Sequence, residues 1–320
     1  MGIDAVRVIA GALLVDKPCG PTSHDVVAFV RRTLKTSRVG HTGTLDPLAT
    51  GLLVVLVGPA TRMAQFLAAD EKEYIADVRL GIATPTYDAA SLADGVRDPM
   101  ADVRYPADEI EAVLARFRGS FLQTPPPFSA KKIASVPAYE KARKNQPVEL
   151  KPVPVIVRDL EVLSPSDIGS RLSAIGSGGL LRLRVAASAG FYVRSLAHDI
   201  GQVLGCGAHL EALRRTRVGR FVVQDALTLD RVQDRGAAAL IPVNDLLGEM
   251  PAVGLTPEGA RRAAHGNPLG PLHTQKGDSH LFSQIKGTAT FFRVVDPAGE
   301  LLAIAEWRAD GLLHPLVVLG

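Results

Sequence analysis

A single carboxylate lies in a glycine-rich loop and could carry chemistry. Residues 40–51 read GHTGTLDPLATG, with Asp46 as the one acidic residue. Pro47 disfavours a helical backbone at Asp46, and the glycines suit a chain that turns sharply or lets another molecule approach closely. The apolar run 52–57 that follows predicts a buried strand. The pattern makes Asp46 a candidate catalytic group, with an ordinary turn residue as the alternative. A phosphate-binding P-loop would need a Gly-Lys-Ser/Thr ending, which is absent here.

This loop resembles the signature of the TruB-type pseudouridine synthases, the bacterial tRNA pseudouridine-55 synthases. Other segments are similar to further motifs of that family: 11–23, the surroundings of Tyr74, 190–196 and 205–215. The resemblance is close over residues 11–221 and looser elsewhere. It implies an isomerase that converts a uridine in the T-loop of tRNA, at position 55, to pseudouridine without a guide RNA.

The resemblance implies three catalytic residues. Asp46 matches the family's essential Asp, although whether it attacks the sugar or the base is left open. Arg194 matches an Arg that pairs with this Asp, and such a partner would lower the carboxyl pKa and fix its orientation; a phosphate contact is the alternative. Tyr74 matches a Tyr that stacks on the flipped base and helps to remove the C5 proton. A core aromatic, or stacking without proton transfer, are the other readings of Tyr74.

Further residues match family positions that bind or support the uridine: Lys17, His41, Gly43, Asp88, Tyr192 and Leu213. His41 would occupy the space that the flipped base leaves, which offsets part of the few kcal/mol that flipping costs, or it would only stabilise the loop by a hydrogen bond. Around Asp88 the chain departs from the family, with Pro85 and Ser91 where an Asp and a Gly are usual. This departure puts the local contacts of Asp88 in doubt.

Composition narrows the class of protein. The chain has 320 residues, 47% of them hydrophobic, and a net charge of +3; these values are typical of a globular protein, not a disordered one. We expect no membrane segment and no signal peptide, and the two cysteines, Cys19 and Cys206, favour a reducing cytoplasm. The isomerisation needs no metal and no cofactor. The expected partner is the tRNA T-stem-loop, bound by a monomer with no obligatory protein partner.

Two basic stretches could neutralise RNA phosphates, or could be ordinary solvated faces. The first comprises Arg182, Arg184, Arg194, Arg214, Arg215, Arg217 and Arg220. The second comprises Lys131, Lys132, Lys141, Arg143, Lys144 and Lys151.

Periodicity and turn residues predict an α+β fold. Strands are predicted over 13–15, 52–57, 74–80, 153–163 and 180–187. Helices are predicted over 23–34, 61–69, 107–117, 137–144, 192–204, 210–215 and 257–265. Residues 123–130, with three consecutive prolines, are predicted to be irregular. The resemblance implies a pseudouridine synthase catalytic domain with a mixed, mainly antiparallel sheet flanked by helices.

The carboxyl-terminal part differs in pattern. Strands predicted over 288–295, 301–307 and 312–319 are separated by turns at 296–299 and 309–311. They indicate a small β-rich module similar to the RNA-binding PUA domain of such synthases, with a generic β-barrel as the alternative. The predicted domains are therefore 1–250, catalytic, and 251–320, PUA-like.

Two other functions compete with a guide-free tRNA synthase. A guide-RNA-dependent synthase of the same superfamily is less favoured, because the chain lacks a long lysine-rich extension. An RNA-binding or RNA-folding protein with secondary catalysis is disfavoured by the intact Asp46, Tyr74 and Arg194.

Overall fold

A large sheet organises the protein. The computed structural model describes residues 9–97, 105–129, 132–133, 136–137, 150–163, 175–176, 179–275 and 290–319. The strands of the catalytic region are β1 (Gly11–Lys17), β2 (Val39–His41), β3 (Thr50–Val57), β4 (Lys72–Leu80), β5 (Ile82–Ala83), β6 (Val96–Arg97), β7 (Gly119–Gln123), β8 (Lys132–Ile133), β9 (Val136–Pro137), β10 (Val153–Val162), β11 (Ile175–Gly176), β12 (Leu180–Ala187), β13 (Ala208–Val218) and β14 (Phe221–Val222). The helices are α1 (Ser23–Thr33), α2 (Ala64–Ala68), α3 (Ala107–Ala115), α4 (Val193–Leu204), α5 (Leu229–Arg235) and α6 (Pro257–Ala264).

The main sheet has the order β1-β3-β13-β4-β12-β10-β7. Its pairs are antiparallel except β3 and β13, which run parallel where Thr50 and Gly51 face Arg214 and Arg215. The α+β class and the mixed, mainly antiparallel sheet are thus confirmed. The parallel pair lies directly beside the loop that carries Asp46.

Alternating side chains give the sheet two buried faces. In β3, Leu53 and Val55 belong to a core covered by α1, α3 and α4, while Leu52 and Val54 belong to a second core on the opposite face. This division follows from the two-residue period of a strand. The helices α1, α3 and α4 therefore pack against one face of the main sheet only.

The carboxyl-terminal module adds a small sheet. Its strands are β15 (Ala252–Gly254), β16 (Phe291–Val295), β17 (Leu301–Trp307) and β18 (Leu313–Val318), paired in chain order. The three predicted strands are confirmed, and the short β15, which pairs parallel to β16, was not predicted. Ile304 and Val317 of this module lie in the second core with Leu14 and Leu56 of the main sheet. The module is therefore packed against the face of the sheet that α1, α3 and α4 leave free.

One predicted helix is wrong. Residues 210–215 lie inside β13, which pairs with β4 from Ala208 to Val218 with two irregularities in register. The segment is rich in Leu, Ala, Glu and Arg, which favour helices intrinsically, but its place between β3 and β4 provides backbone partners on both sides. Tertiary context overrides propensity in such central strands.

Two other predictions changed or lie outside the described residues. Gln123, predicted to be irregular, is the last residue of β7, and the irregular chain begins at Thr124. The predicted helix 137–144 lies outside the described residues beyond Pro137. No helix among the described residues is long and apolar enough to cross a membrane.

Candidate active site

The loop that carries Asp46 is held from the α1 side by a buried serine. The Ser23 hydroxyl donates to the Leu45 carbonyl oxygen at 3.0 Å and accepts from the Leu45 amide at 2.8 Å. Thr22, one residue earlier, caps α1 in a reciprocal pair with Asp25. Because Thr22 caps the helix, the Ser23 hydroxyl is available to fix Leu45, the residue directly before Asp46.

A buried lysine holds the loop on the other side of Asp46. Lys17, fully buried at the end of β1, donates from Nζ to the carbonyl oxygens of Pro18 and Pro21 at 2.8 Å each and to that of Pro47 at 3.4 Å. The Gly20 amide donates to the same Pro47 oxygen at 2.8 Å. Burial lowers the pKa of Lys17, and the Asp46 carboxylate partly opposes this. Lys17 therefore supports Asp46 through the loop backbone and through charge.

Arg194 grips the Asp46 carboxylate. Its Nε lies 2.9 Å from Oδ2 and its Nη2 lies 3.3 Å from Oδ1. The Arg194 side chain is only 7% exposed, whereas that of Asp46 is 34% exposed. The predicted ion pair is present in a two-point geometry that fixes orientation. The exposed part of the carboxylate remains open to a substrate.

The same guanidinium is held by backbone carbonyls and a second aspartate. Arg194 donates from Nη1 to the Thr86 carbonyl oxygen at 3.2 Å and from Nη2 to that of Phe128 at 3.0 Å. Its Nε lies 3.7 Å from Oδ2 of the buried Asp88. All three groups fix Arg194 so that its remaining donors face Asp46.

Asp88 is itself fully engaged in a tight turn. Its Oδ1 accepts from the Thr86 hydroxyl at 2.6 Å and from the Ala90 amide at 3.0 Å. Ser91, at the position where the chain departs from the family, lies 2.6 Å from the Thr86 hydroxyl. The departure therefore supplies a hydrogen bond to the turn and leaves Asp88 in place.

The pKa of Asp46 is raised, not lowered. Burial is the largest cause, Arg194 opposes it by charge and hydrogen bonding, and the negative charge of Asp88 adds to the rise. The predicted lowering of the pKa by an arginine partner is present, but desolvation disfavours the charged form more strongly, so the net direction is upward.

Tyr74 and Arg215 form a buried pair under the loop. They face each other directly in the β4–β13 register, so their side chains lie on the same face of the sheet. The electrostatic interaction of Arg215 with Tyr74 partly offsets the lowering of the Arg215 pKa by burial. Arg215 also donates to the carbonyl oxygens of Leu52 at 2.7 Å and Gly43 at 3.1 Å. Arg215 therefore contacts the loop of Asp46 and lies directly opposite the predicted Tyr74 in the sheet.

Arg215 and Gln123 are site residues that the sequence analysis missed. Arg215 was assigned to a basic surface, yet it is 2% exposed; its spacing of two from the buried Leu213 in a strand could have indicated this. Gln123 exchanges two hydrogen bonds with the Tyr192 backbone, at 2.8 Å and 3.0 Å. Tyr192 is the residue that precedes α4, so Gln123 fixes the start of the helix that carries Arg194.

The other predicted residues lie around this centre. His41 ends β2 and contacts His24 edge-to-face at 5.7 Å between ring centroids. Burial lowers the pKa of His41, and its Nδ1 has no hydrogen-bond partner among the described residues. Burial also raises the pKa of Tyr192. Leu213 is buried in the same core as Tyr74. The structure brings these residues to one side of the sheet, but their contacts to a uridine stay a prediction.

Only one glycine of the loop has a backbone that demands glycine. Gly51 has φ +98°, and a Cβ there would lie 2.3 Å from the Arg215 carbonyl oxygen. Gly40 and Gly43 have neither a positive φ nor a close neighbour within 3.4 Å of a Cβ. The close approach that Gly51 permits is made by β13 of the same chain, not by another molecule.

The first basic stretch is largely committed to carboxylates. Arg182 pairs with Asp77, and Arg184 with Glu73 and Glu161. Arg214 pairs with Asp16 and Arg217 with Glu71. Together with the buried Arg194 and Arg215, these pairs leave less unpaired positive charge in the stretch than its sequence indicates, and its contact with phosphates stays a prediction. In the second stretch, Lys131, Lys141, Arg143 and Lys144 lie outside the described residues.

The cysteines and acidic groups suggest no further site. Cys19 is exposed and Cys206 is buried, and both are free thiols. Within the described ranges, no cluster of His, Cys, Asp or Glu could hold a metal ion.

Comparison with known proteins places this geometry in one family. Residues 31–193 match the model of the TruB family pseudouridylate synthase N-terminal domain, and residues 194–243 match that of the tRNA pseudouridylate synthase B C-terminal domain. A tRNA pseudouridine synthase B of Solibacter usitatus is 41% identical over 97% of this chain and 99% of its own length. One of Thermobifida fusca is 42% identical over 97% of this chain and 98% of its own length.

Solved structures show the same fold. A structure of an H/ACA RNP bound to a substrate RNA containing 2'-deoxyuridine includes a chain with TM-score 0.67 and 25% identity, over 97% of this chain and 85% of that one. A Cbf5-Nop10-Gar1 complex includes a chain with TM-score 0.66 and 28% identity, over 92% of this chain and 78% of that one. The similarity to both extends over almost the whole chain.

Proposed function

Because the chain belongs to the TruB family of pseudouridylate synthases, and is thus a tRNA pseudouridine synthase and an isomerase, we propose that it acts on the T-loop uridine at position 55 without a guide RNA. Asp46 is the proposed nucleophile. The observation that carries this proposal is the partly exposed Asp46 carboxylate, gripped at two points by the buried Arg194.

The reaction requires one carboxylate beside the sugar–base junction. The N1–C1' bond breaks, the base turns, a C5–C1' bond forms, and the C5 proton is removed while N1 gains one. Attack on the sugar or on the base both need Asp46 in its ionised form. Arg194 stabilises that form against the desolvation that raises its pKa. Tyr74, which lies opposite Arg215 in the β4–β13 pair, is the proposed stacking partner, and its hydroxyl is the proposed group at C5.

Base flipping gives His41 its proposed part. His41 is half-buried on β2, four residues before the loop's Leu45. An extruded uridine leaves a gap in the T-loop, and an imidazole that fills it offsets part of the unstacking energy. Burial keeps the His41 ring neutral at physiological pH, because its pKa is lowered. A neutral ring suits a stacked position among bases.

A basic surface next to the loop supports RNA as substrate. The α1–β2 patch comprises the exposed residues Arg31, Arg32, Lys35 and Arg38. Residues 26–45 contain no acidic residue, and among the described residues Arg32, Lys35 and Arg38 have no carboxylate partner. Unpaired cations at this place suit the phosphates of a stem that brings its loop to Asp46. We infer the same kind of contact for the module 251–320, as its PUA-like pattern implies.

The guide-free assignment follows the more similar relatives. Proteins about 40% identical over nearly their whole length are tRNA pseudouridine synthases B. The chains from the H/ACA assemblies are 25% and 28% identical. The higher similarity favours tRNA as the substrate and supports action without a guide.

Tritium release from C5-labelled uridine in unmodified tRNA, with no other RNA or protein added, tests the proposal. Asp46→Asn keeps the shape of the side chain and removes its charge, so we expect release to fall below detection. Asp77→Asn is the matched control, because it breaks the Asp77–Arg182 pair on the same sheet and should leave release unchanged. Full turnover by Asp46→Asn would contradict the role of Asp46, and dependence on added RNA would contradict guide-free action.

The same inactive variant tests the contribution of the module. Asp46→Asn should bind whole tRNA more tightly than an isolated T-stem-loop if residues 251–320 contact RNA beyond the loop. Equal affinities would argue against an RNA-binding module.

A further inference from the structure

The turn that holds Arg194 contains a strained residue. Tyr87 has φ +62°, a left-handed conformation that is uncommon for a bulky side chain. Its neighbours Thr86 and Asp88 are the two residues of this turn that face Arg194, through a carbonyl oxygen and a carboxylate. The unusual backbone at Tyr87 is therefore what turns both acceptors toward one guanidinium.

An aromatic stack holds Tyr87 in that conformation. The rings of Tyr87 and His198 lie 3.8 Å apart between centroids with an angle of 7° between their planes. His198 follows Arg194 by four residues in α4, so both project from the same face of the helix. Two residues one helical turn apart in α4 thus contact three consecutive residues, 86–88. Arg194 contacts Thr86 and Asp88, and His198 contacts Tyr87.

The backbone hydrogen bonds of Tyr87 do not connect this turn to α4. The Tyr87 amide donates to the Thr84 carbonyl oxygen at 3.1 Å, and its own carbonyl accepts from the Leu210 amide at 2.9 Å. These bonds attach the turn to β13 but do not reach α4. Among the described residues, the ring stack and the contacts of Arg194 itself connect the turn to that helix.

We propose that the Tyr87–His198 stack positions the Thr86 and Asp88 acceptors, and through them the Arg194 guanidinium that orients Asp46. Tyr87 and His198 are positioning residues, since neither contacts Asp46. The inference rests on the proposed catalytic role of Asp46. Burial lowers the pKa of His198 and raises that of Tyr87, so both rings are neutral at physiological pH.

Paired substitutions separate the stack from the strain. Tyr87→Asn keeps a residue that tolerates the left-handed conformation but removes the ring, and Tyr87→Phe keeps the ring and removes only the hydroxyl. His198→Leu and His198→Phe form the second pair on the helix side. Both residues are half-buried, so the exchanges leave the sheet core intact.

The readout is the single-turnover rate constant for tritium release with enzyme in excess, together with the dissociation constant for tRNA. Loss of a stack of this strength should slow release by about two- to ten-fold in Tyr87→Asn and His198→Leu. The dissociation constant should stay unchanged, and both Phe variants should retain the wild-type rate. Rates are compared below the onset of thermal unfolding of each variant.

Two results would overturn the proposal. Wild-type rates in Tyr87→Asn and His198→Leu would show that the stack does not affect the chemistry. Equal losses in the ring-keeping and ring-removing variants would show that ring stacking is not the cause. Turnover by Asp46→Asn would instead contradict the proposed function, independently of how the four stack variants behave.

Discussion

At Asp46, two opposite electrostatic effects act on one carboxylate. Burial and the neighbouring Asp88 raise its pKa, while Arg194 lowers it without reversing the rise. A nucleophilic carboxylate works only when ionised, so the enzyme should lose activity as the pH falls through this raised pKa. The acid limb of the pH–rate profile should therefore lie above the range of an exposed aspartate, which is about pH 4.

Removing the charge of Arg194 should move that limb further. Arg194→Gln keeps hydrogen-bond donors but removes the positive charge that favours ionised Asp46, so the Asp46 pKa rises. We expect the acid limb to shift upward by about one to two pH units, in addition to a lower plateau rate. Single-turnover tritium release measured across the acid and neutral range checks this shift.

The control for the pH profile is another largely buried ion pair, which lies away from Asp46. Arg182→Gln breaks the pair with Asp77 on β12 and β4 and should leave the acid limb where it is. An unchanged limb in Arg194→Gln, or one moved to lower pH, would contradict the assignment of the limb to Asp46.

Site residues could be predicted from the sequence where they belong to a recognisable family motif. Asp46, Arg194 and Asp88 were assigned through the family resemblance, and the structure brings both carboxylates within 3.7 Å of the Arg194 guanidinium. Arg215 was misassigned because a run of arginines reads as surface charge unless the strand is known. Its carbonyl acceptors, such as Gly43 in the loop and Leu52 in β3, lie more than 160 residues earlier in the chain, and no local sequence pattern indicates such a contact.

Among the elements, the parallel contact between β3 and β13 fixes the position of the Asp46 loop relative to the sheet. It needs Gly51, since a Cβ there would lie 2.3 Å from the Arg215 carbonyl oxygen and 2.8 Å from its amide nitrogen. Arg215 in turn donates a hydrogen bond to the Gly43 carbonyl oxygen in the loop. A small change at the strand contact should therefore reach the active site.

Gly51→Ala should destabilise the protein and misplace this contact. Both the steric overlap and the positive φ of +98° act against alanine, so we expect a loss of at least about 2 kcal/mol in the free energy of unfolding. The single-turnover rate of the folded fraction should also fall, since Arg215 shifts relative to the loop. Denaturant unfolding and tritium release check the two effects.

Gly119→Ala separates strain from overlap. Gly119 begins β7 with φ +78°, and in the part of the chain that the structure describes no other atom lies within 4 Å of a Cβ at this position. Gly119→Ala should lower the free energy of unfolding only by the cost of the positive φ, and the variant should keep its single-turnover rate. Equal effects of the two substitutions would show that the close approach of β13 to Gly51 is not what matters.

Elements with a clear period or cap were predicted well, whereas an irregular central strand and a very short edge strand were not. The predicted cap of α1 at Thr22 or Ser23 is confirmed, with Thr22 as the cap, and so is the end of α4 before Gly205, which has φ +76°. The strand β13 was predicted as a helix, because its two irregularities of register break the alternation that marks a strand. β15, with only three residues, is too short for any period.

On the scale of the whole molecule, the carboxyl-terminal module shares a core with the catalytic sheet. Leu301 and Ile304 pack in one cluster with Leu52 and Leu56, and Phe66 contacts Phe291 edge-to-face at 5.3 Å between ring centroids. The boundary at 250/251 stays a prediction, but a shared core couples the two parts energetically. Deleting the module would expose this face, so truncation would confuse loss of RNA contacts with loss of stability.

Substitution of Ile304 tests whether the chain unfolds as one unit. Ile304 is fully buried in the shared core, so Ile304→Ala should lower the free energy of unfolding by about 2–5 kcal/mol. Val294→Ala is the matched control, because Val294 is equally buried in the separate core of the module. If the two parts are coupled, calorimetry should show one transition that both substitutions shift to lower temperature. A separate early transition in Val294→Ala, with the main transition unmoved, would show that the module unfolds independently and that the shared face contributes little to holding it on the sheet.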